Sequence, residues 1–411
     1  MVARISRRRM LGMAGAAALG ATVGPLSGCA ADPDPRTVLS VWDYWTAGGT
    51  SAAADWVHQQ YMAHRPDVRI ERRVVPFDQY KRTVLQSASA GDVPDVLAID
   101  NSDVAAFAAI GLLADLTDRV AGWPGAPDIL PAAWRTTEYD GRRFAVPDAV
   151  NDLALYYDRA LLDGAGVGPP STWDELREAA ARLTGDGRYG FAVSAVQGEE
   201  ATLQFLPWLW QAGGDVPTVA GAGGQAALGL YKELLDAGHM SRGTLGWSQA
   251  DLLNQFVNGQ TAMMVNGPWQ IPELSTSNVE WAVAPLPRRD TAATVIGAED
   301  LGICAGTPHP DLAWDFIMFC KSVPVATRYT QIGNQLPSSR TVSQDPYWSS
   351  DPVLSVFTEQ LQVARPRAYG ENYLAISQDI QKAIQAALTG QAPVAAALAQ
   401  AQDAISGKLA A

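Results

Sequence analysis

Residues 138–176 read EYDGRRFAVPDAVNDLALYYDRALLDGAGVGPPSTWDEL, and this stretch decides the fold. Asp140-Gly141 is typical of a turn between two short strands. Pro147 cannot donate to a sheet ladder, so the strand that precedes it is predicted to end there. The polar residues 148–152 then give way to the apolar, β-type residues 153–157, which are predicted to enter a second core. The stretch therefore predicts a hinge between two bodies.

The second half of the same stretch predicts how the second body begins. Residues 160–164 are predicted to form a short helix closed by glycine, and Pro169-Pro170 excludes a helix. Ser171-Thr172 then supplies a hydroxyl cap to the next helix, and Asp174-Glu175 places acids in its first turn. In this order of glycine, Val-Pro, polar hinge, Leu-Tyr-Tyr, Pro-Pro and capped helix, the stretch resembles the extracellular solute-binding proteins of carbohydrate ABC importers. That family contains maltose-binding protein.

The resemblance implies an α/β, two-lobe periplasmic-binding-protein fold of type II. Each lobe is expected to be a mixed, mostly parallel sheet flanked by helices, and hinge crossovers near 148–152, 294–298 and 338–342 are expected to join the lobes. Residues 37–148 plus 297–339 are expected to form lobe 1. Residues 149–296 plus 340–411 are expected to form lobe 2.

The composition of the 411-residue chain fits two globular domains, with 47% hydrophobic and 18% charged residues. The formal net charge is −13. Without residues 1–28, which hold four arginines and no acid, 26 basic residues face 43 acidic ones, a net charge of −17. Such a surface repels phosphate backbones, so nucleic acid is excluded as a partner.

The N-terminus is predicted to be an export and anchoring signal. Ser6-Arg7-Arg8-Arg9 matches a twin-arginine signal, and the apolar run after it is too short to span a membrane. Leu26-Ser27-Gly28-Cys29 resembles the lipobox of bacterial lipoproteins. This resemblance implies that residues 1–28 are removed and that Cys29 is lipidated. It also implies that residues 29–36 tether the protein to the outer face of the cell membrane.

Strands and helices alternate from residue 37 to 111, which predicts a parallel sheet with crossover helices. In open α/β sheets, ligands bind outside the carboxyl ends of strands. Asp43 and Trp45 follow the first predicted strand, and Asp100 and Asn101 follow the third. Carboxylates and amides can bind sugar hydroxyls while an indole covers the apolar sugar face. The alternative for both acids is helix capping or a solvated loop.

Further site candidates depend on the resemblance. Residues 256–269 resemble the family's short Ala-Met strand before a Gly-x-Trp turn, whose tryptophan commonly stacks on the sugar, and this implies a ligand contact for Trp269. The alternative is that Trp269 caps the following helix. Trp208 could face the cleft, although most of its helix must be core. The remaining candidates, taken from the predicted hinges and the strands and helices beside them, are Asn151, Glu299, Asp300, Arg340 and Tyr373.

The sequence therefore predicts a monomeric substrate-binding lipoprotein that captures a neutral mono- or oligosaccharide and delivers it to ABC permease subunits. No cofactor, metal or catalytic residue is expected, because the four histidines lack metal-ligand spacing. The alternatives are a binder of an amino sugar, a polyamine or a glycerophosphodiester, or a secreted glycosidase built on paired acids. Cys304 and Cys320 could form a disulfide or remain buried thiols.

Overall fold

The computed structural model describes residues 34–46 and 48–409. The predicted twin-arginine signal and Cys29 lie outside these residues. Within them, no helix combines the length and the apolar character that crossing a bilayer requires. Cys304 and Cys320 are separate, buried thiols and form no disulfide.

Twelve strands are formed by the described residues. They are β1 (Thr37–Asp43), β2 (Val68–Val74), β3 (Val96–Asp100), β4 (Glu138–Tyr139), β5 (Arg142–Arg143), β6 (Ala145–Asn151), β7 (Ala154–Asp158), β8 (Met263–Asn266), β9 (Trp281–Ala284), β10 (Thr294–Ile303), β11 (Leu336–Pro337) and β12 (Ala364–Pro366).

Eighteen α-helices flank these strands in the same part of the chain. They are α1 (Gly48–His64), α2 (Phe77–Ala90), α3 (Val104–Ala109), α4 (Thr117–Ala121), α5 (Pro131–Trp134), α6 (Arg159–Ala165), α7 (Trp173–Leu183), α8 (Glu199–Gln211), α9 (Ala222–Asp236), α10 (Gln249–Val257), α11 (Ile271–Leu274), α12 (Pro310–Cys320), α13 (Val323–Gly333), α14 (Arg340–Ser343), α15 (Pro346–Ser350), α16 (Leu354–Gln360), α17 (Tyr373–Thr389) and α18 (Val394–Leu409).

A large mixed sheet has the order β11-β6-β10-β3-β1-β2, with β12 paired to β10. Strand β1 pairs in parallel with β2 and β3, as the alternation of strands and helices predicts. Strand β10 is antiparallel to both β3 and β6. Strand β10 lies between β6 and β3 in this sheet, and all ten of its residues are buried. A segment from a distant part of the sequence therefore forms the middle of the sheet. The mixed character expected of the first lobe is confirmed.

A small second sheet has the order β8-β7-β9. Both of its pairings are antiparallel, so the expectation of a mostly parallel sheet in each lobe is wrong for this one. The side chains of β7 point alternately to two cores: Leu155 belongs to a cluster with Trp208 and Ile384, whereas Tyr156 belongs to a cluster with Val41. We call the cluster around Leu155 the second core and the cluster around Val41 the first core.

The connection from the large sheet to the small one is shorter than the sequence predicts, because β6 does not end at Pro147. It continues to Asn151, and only two residues separate it from β7. Its register with β10 shifts where Ala149 pairs with Glu299 and Pro147 with Asp300, which leaves Asp148 as an extra residue. A proline is tolerated at such a bulge, where the regular ladder is interrupted.

The expected third crossing at 338–342 stays a prediction, because the first core contains residues of both sheets. Trp348 and Phe357, which follow residues 338–342, pack in the first core. Ile376 and Ile384 of α17 pack in the second core. The residue Ser338 is bonded to the stretch after Pro147 through Lys321, whose Nζ donates to the Asp148 carbonyl oxygen (2.8 Å) and to Ser338 Oγ (2.9 Å).

Candidate functional site

A cavity of about 430 Å³ is lined by residues that follow strands of both sheets. The chain leaving β1 and β3 contributes Tyr44, Trp45 and Asp100, and the first turn of α8 contributes Glu199 and Glu200. This is the position outside the carboxyl ends of strands where ligands bind in open α/β sheets. The described lining residues are Tyr44, Trp45, Thr46, Gly48, Thr50, Phe77, Asp100, Asn151, Glu199, Glu200, Leu203, Gln249, Ala250, Trp269, Gln270, Pro272, Glu273, Gly297, Ala298, Glu299, Gln335 and Arg367.

Aromatic rings form part of this wall. Tyr44 contacts Trp45 and Phe77, with ring centroids 5.7 and 5.2 Å apart. Trp269 is half-buried and follows β8 directly. A Cβ atom on Gly267 would lie 2.1 Å from the Trp269 ring, so the glycine of the Gly-x-Trp turn is what lets the indole fold back over the backbone. Both tryptophans expected at the strand ends therefore line the cavity.

Glu299 also lines the cavity, and it lies on strand β10 of the large sheet. Asn151 donates from Nδ2 to Glu299 Oε1 at 3.3 Å. A Cβ atom on Gly297 would approach Asn151 Oδ1 to 2.0 Å, so a glycine is required for this amide to fit. Burial, assisted by the charges of Asp100 and Asp148, raises the pKa of Glu299 to about 8. At neutral pH the carboxyl group is therefore mostly protonated and can donate as well as accept a hydrogen bond.

Arg367 links the end of β3 to the start of α8, and its side chain is only 1% exposed. Its Nη2 donates to Asp100 Oδ1 and to Asn101 Oδ1, both at 2.9 Å, while Nη1 donates to Glu199. Asn101 also donates from Nδ2 to the Ile296 carbonyl oxygen at 3.2 Å. Asp100 and Asn101, both expected at the site, are thus held by an arginine that the sequence did not single out.

Tyr373 lies behind this network. Its hydroxyl donates to Glu199 Oε1, and its ring stacks on Tyr369 with centroids 6.1 Å apart. It lines a neighbouring cavity of about 420 Å³, which shares Tyr44 and Asp100 with the main one and also includes Lys81. Burial, and the charge of Glu199 after it, raise the pKa of Tyr373 well above its ordinary value. Tyr373 therefore positions Glu199 rather than lining the main cavity.

Two of the expected acids face away from the main cavity. Asp43 is fully buried and accepts two hydrogen bonds from Arg72, from Nε to Oδ2 at 2.6 Å and from Nη2 to Oδ1 at 2.8 Å. Asp300 follows Glu299 on β10, so its side chain points to the opposite face of the sheet. It is fully buried with neither carboxyl oxygen hydrogen-bonded, and burial raises its pKa well above the ordinary range. These placements correct the expectation that both acids contact ligand.

Trp208 and Arg340 are also placed elsewhere. Trp208 is 0% exposed in the second core, where its ring contacts Trp173 at 5.8 Å and Phe191 at 6.0 Å. Arg340 is exposed beside a different surface recess, which includes Trp123. Trp208 is therefore a packing residue of the second core and does not line the main cavity. The arginine that reaches the main cavity is Arg367, not Arg340.

Several lining residues were not anticipated from the sequence. Glu200 accepts a hydrogen bond at 2.8 Å from the backbone N–H of Gln249. Two acids in succession before an apolar helix are a signal for a helix start that could have located the first residue of α8 at Glu199. The lining residues that reasoning from the sequence missed are Tyr44, Phe77, Glu199, Glu200, Gln249, Gln270, Glu273, Gln335 and Arg367. Among the described residues, no group of His, Cys, Asp or Glu is arranged to hold a metal ion.

The sequence of this chain matches a described protein family. The family profile described as "Bacterial extracellular solute-binding protein" matches residues 46–326. A maltotriose-binding protein of Pyrococcus abyssi is 25% identical over 326 residues, which cover 74% of this chain and 68% of the relative. A protein described as a lipoprotein in Streptomyces antibioticus is 28% identical over 354 residues, which cover 80% of this chain and 77% of the relative.

The solved structures agree with the sequence relatives. The GacH receptor of Streptomyces glaucescens, crystallised unliganded and in complex with acarbose, superposes with a TM-score of 0.83 at 27% identity. The match covers 91% of this chain and 98% of the receptor. The overall path of the chain is thus shared with a receptor that binds acarbose.

Proposed function

Because this chain belongs to the bacterial extracellular solute-binding protein family, we propose that it captures a mono- or oligosaccharide for an ABC importer and delivers it to membrane permease subunits. The observation that carries the proposal is the cavity that both bodies line, in which aromatic rings and hydrogen-bonding groups share one space. A space of about 430 Å³ is of the size that small-molecule sites occupy. The maltotriose-binding and acarbose-binding relatives support a carbohydrate ligand.

The residue types of the wall suit a pyranose. A sugar ring has an apolar C–H face, which the indoles of Trp45 and Trp269 can cover. Its rim carries hydroxyl groups that both donate and accept, which the Glu299 carboxyl and the Asn151 amide can satisfy. Ligand-binding roles for Trp45, Asp100, Asn151, Trp269 and Glu299 are therefore part of the proposal. Longer saccharides have room to extend toward the neighbouring cavity of about 420 Å³.

Ligand capture is proposed to involve closure of the two bodies about their connecting strands. The two-residue link between β6 and β7 is short, so a rotation concentrates its dihedral changes there and beside β10. Solution X-ray scattering with saturating ligand is expected to give a smaller radius of gyration than the ligand-free protein. Equal radii for the two states would remove closure from the proposal.

The protein is proposed to act outside the cytoplasmic membrane as a monomer anchored through lipid on Cys29. The lipobox-like residues 26–29 and the relative described as a lipoprotein support this anchor. One acyl group gives weak membrane binding, whereas the two-chain anchor of a lipoprotein holds a protein stably at the surface. Such an anchor keeps the binding protein within reach of its permease.

The test begins with a thermal-shift screen of the mature protein against a saccharide panel. A ligand at a hundredfold its Kd adds about 2.7 kcal/mol to the free energy of unfolding. Titration calorimetry on each hit then compares wild type with Trp269→Ala, for which we expect a ten- to hundredfold weaker affinity, about 1–3 kcal/mol. Trp123→Ala is the matched control, because Trp123 is also half-buried but lines a different recess.

Three outcomes would contradict parts of the proposal. Unchanged affinity in Trp269→Ala would remove the stacking role, and absence of any saccharide hit would reject the carbohydrate ligand. Recovery of cleaved oligosaccharide after incubation with the protein would indicate a glycosidase instead of a binding protein.

A further inference from the structure

The ionisable groups of the main cavity are unbalanced in charge. Five carboxyl groups and one guanidinium group line it among the described residues: Asp100, Glu199, Glu200, Glu273, Glu299 and Arg367. Burial away from water and repulsion by neighbouring carboxylates both disfavour the ionised form of a carboxyl group. A ligand of opposite charge would relieve this cost.

The single guanidinium group does not balance the excess. Arg367 is bonded to Asp100 and Glu199, so these two carboxylates already have a cationic partner. In the neighbouring cavity, Lys81 is likewise paired with Asp103. No described cationic side chain forms an ion pair with the three remaining carboxyl groups, those of Glu200, Glu273 and Glu299.

Burial raises the pKa of Glu200 and raises that of Glu299 to about 8, so a nearby positive charge would favour the ionised form of both carboxyl groups. A second feature of the same wall points to a ligand. The Gln249 Nε2 atom and the Gln335 Oε1 atom, on side chains 8% and 2% exposed, have no hydrogen-bond partner in the described structure.

We propose that the preferred ligand is a saccharide bearing a protonated amine, whose charge is compensated by Glu200, Glu273 and Glu299. This inference rests on the proposed function and narrows its substrate class from neutral sugars to basic ones. A simple polyamine is disfavoured because Tyr44, Trp45 and Trp269 offer ring faces that a saccharide covers and a thin alkyl chain covers poorly. The amides of Gln249 and Gln335 match hydroxyl groups beside the amine.

The experiment compares sugars that differ only in the replacement of hydroxyl groups by amino groups. Calorimetric titrations of the mature protein use glucosamine with glucose, galactosamine with galactose, and the β-1,4-linked glucosamine disaccharide with cellobiose, together with spermidine. We expect at least one aminated sugar to bind ten- to a hundredfold more tightly than its hydroxyl partner. Its affinity is expected to fall when the salt concentration is raised, whereas a neutral sugar's is not.

Variants then locate the charge. Glu200→Gln, Glu273→Gln and Glu299→Gln keep side-chain size and remove the negative charge, so each is expected to reduce the preference for the aminated sugar by about tenfold. Glu359→Gln is the matched control, because Glu359 is exposed on α16, away from the cavity. Circular dichroism of each variant checks that it is folded.

The outcomes separate this inference from the function it depends on. If the hydroxyl sugar binds as tightly as its aminated partner in every pair, the inference is wrong and the proposal of saccharide binding is unaffected. If the preference survives in all three variants, the amine is recognised elsewhere and the inference is also wrong. If spermidine binds and no sugar does, both the inference and the proposed function fall.

Discussion

Glu299 is predicted to make the ligand-free protein less stable as the pH rises, and Glu299→Gln should remove this effect. The residue is 8% exposed, and its pKa is about 8 in the folded protein against an ordinary value of 4.5. Because the folded pKa is the higher one, folding favours the protonated form. The stabilising contribution of the proton is therefore complete below pH 4.5 and is lost as the pH rises toward 8.

The size of the effect follows from the difference between the two pKa values. At pH 7 the unfolded carboxyl group has lost its proton and the folded one has not, a gap of about 2.5 pH units or roughly 3 kcal/mol. Glu299→Gln keeps an acceptor for Asn151 and cannot ionise. It should therefore unfold at higher urea concentration than wild type at pH 7 and above, with a small difference at pH 4.

Urea denaturation of ligand-free protein at pH 4, 5.5, 7 and 8 measures this. Asp152 and Asp300 are also fully buried acids whose burial raises their pKa well above the ordinary range. Asp152 destabilises wild type and variant alike as the pH rises, whereas the charge of Glu299 contributes to the raised pKa of Asp300. The difference between the two proteins therefore measures the ionisation of Glu299 together with its effect on Asp300. The exposed Glu359→Gln variant should follow wild type at every pH. A Glu299→Gln variant with the same pH dependence as wild type would refute the reasoning.

Three further predictions concern other parts of the chain. Arg367→Met should lower stability by about 3–5 kcal/mol and weaken ligand binding, because it leaves Asp100 and Glu199 without their cation; unchanged denaturation and calorimetry would contradict the role of the network. Trp208→Ala should cost about 3–5 kcal/mol in urea denaturation through a cavity in the second core, with little change in affinity at temperatures where the variant is folded; a selective loss of binding would return Trp208 to the site. Cys29→Ala should abolish metabolic labelling with palmitate, and persistent labelling would place the lipid elsewhere.

Local signals in the sequence were enough to predict most elements. Helix α2 spans Phe77–Ala90, and both of its ends carry such signals, because Pro76 precedes it and Gly91 ends it with a φ of 74°. Helix α12 likewise begins at a proline, Pro310. The prediction at Pro147 was wrong, since a bulge depends on the partner strand β10, which lies about 150 residues away in sequence and whose register no local pattern specifies.

The sequence predicted the location of the candidate site more accurately than the residues that line it. The ends of β1 and β3 do line the cavity, through Trp45 and Asp100. What the sequence could not provide is which charged groups neutralise one another within the protein. Asp43 is bound by an arginine 29 positions away, and Asp100 by one 267 positions away. Pairings of this kind are decided by tertiary contacts, so a strand-end acid read from sequence alone can equally be a ligand contact or half of an internal ion pair.

The adjacency of β6 and β10 in the large sheet has a consequence for how the protein can be observed. In the proposed closure, two connections between the bodies run side by side there, with Gly297 paired to Asn151. Two neighbouring connections define one rotation axis, so they favour rotation of the bodies about that axis over independent twisting. Displacement about such an axis grows with distance from it. Fluorophores placed at the outer tips of the two bodies would therefore amplify a rotation that is nearly invisible beside Asn151.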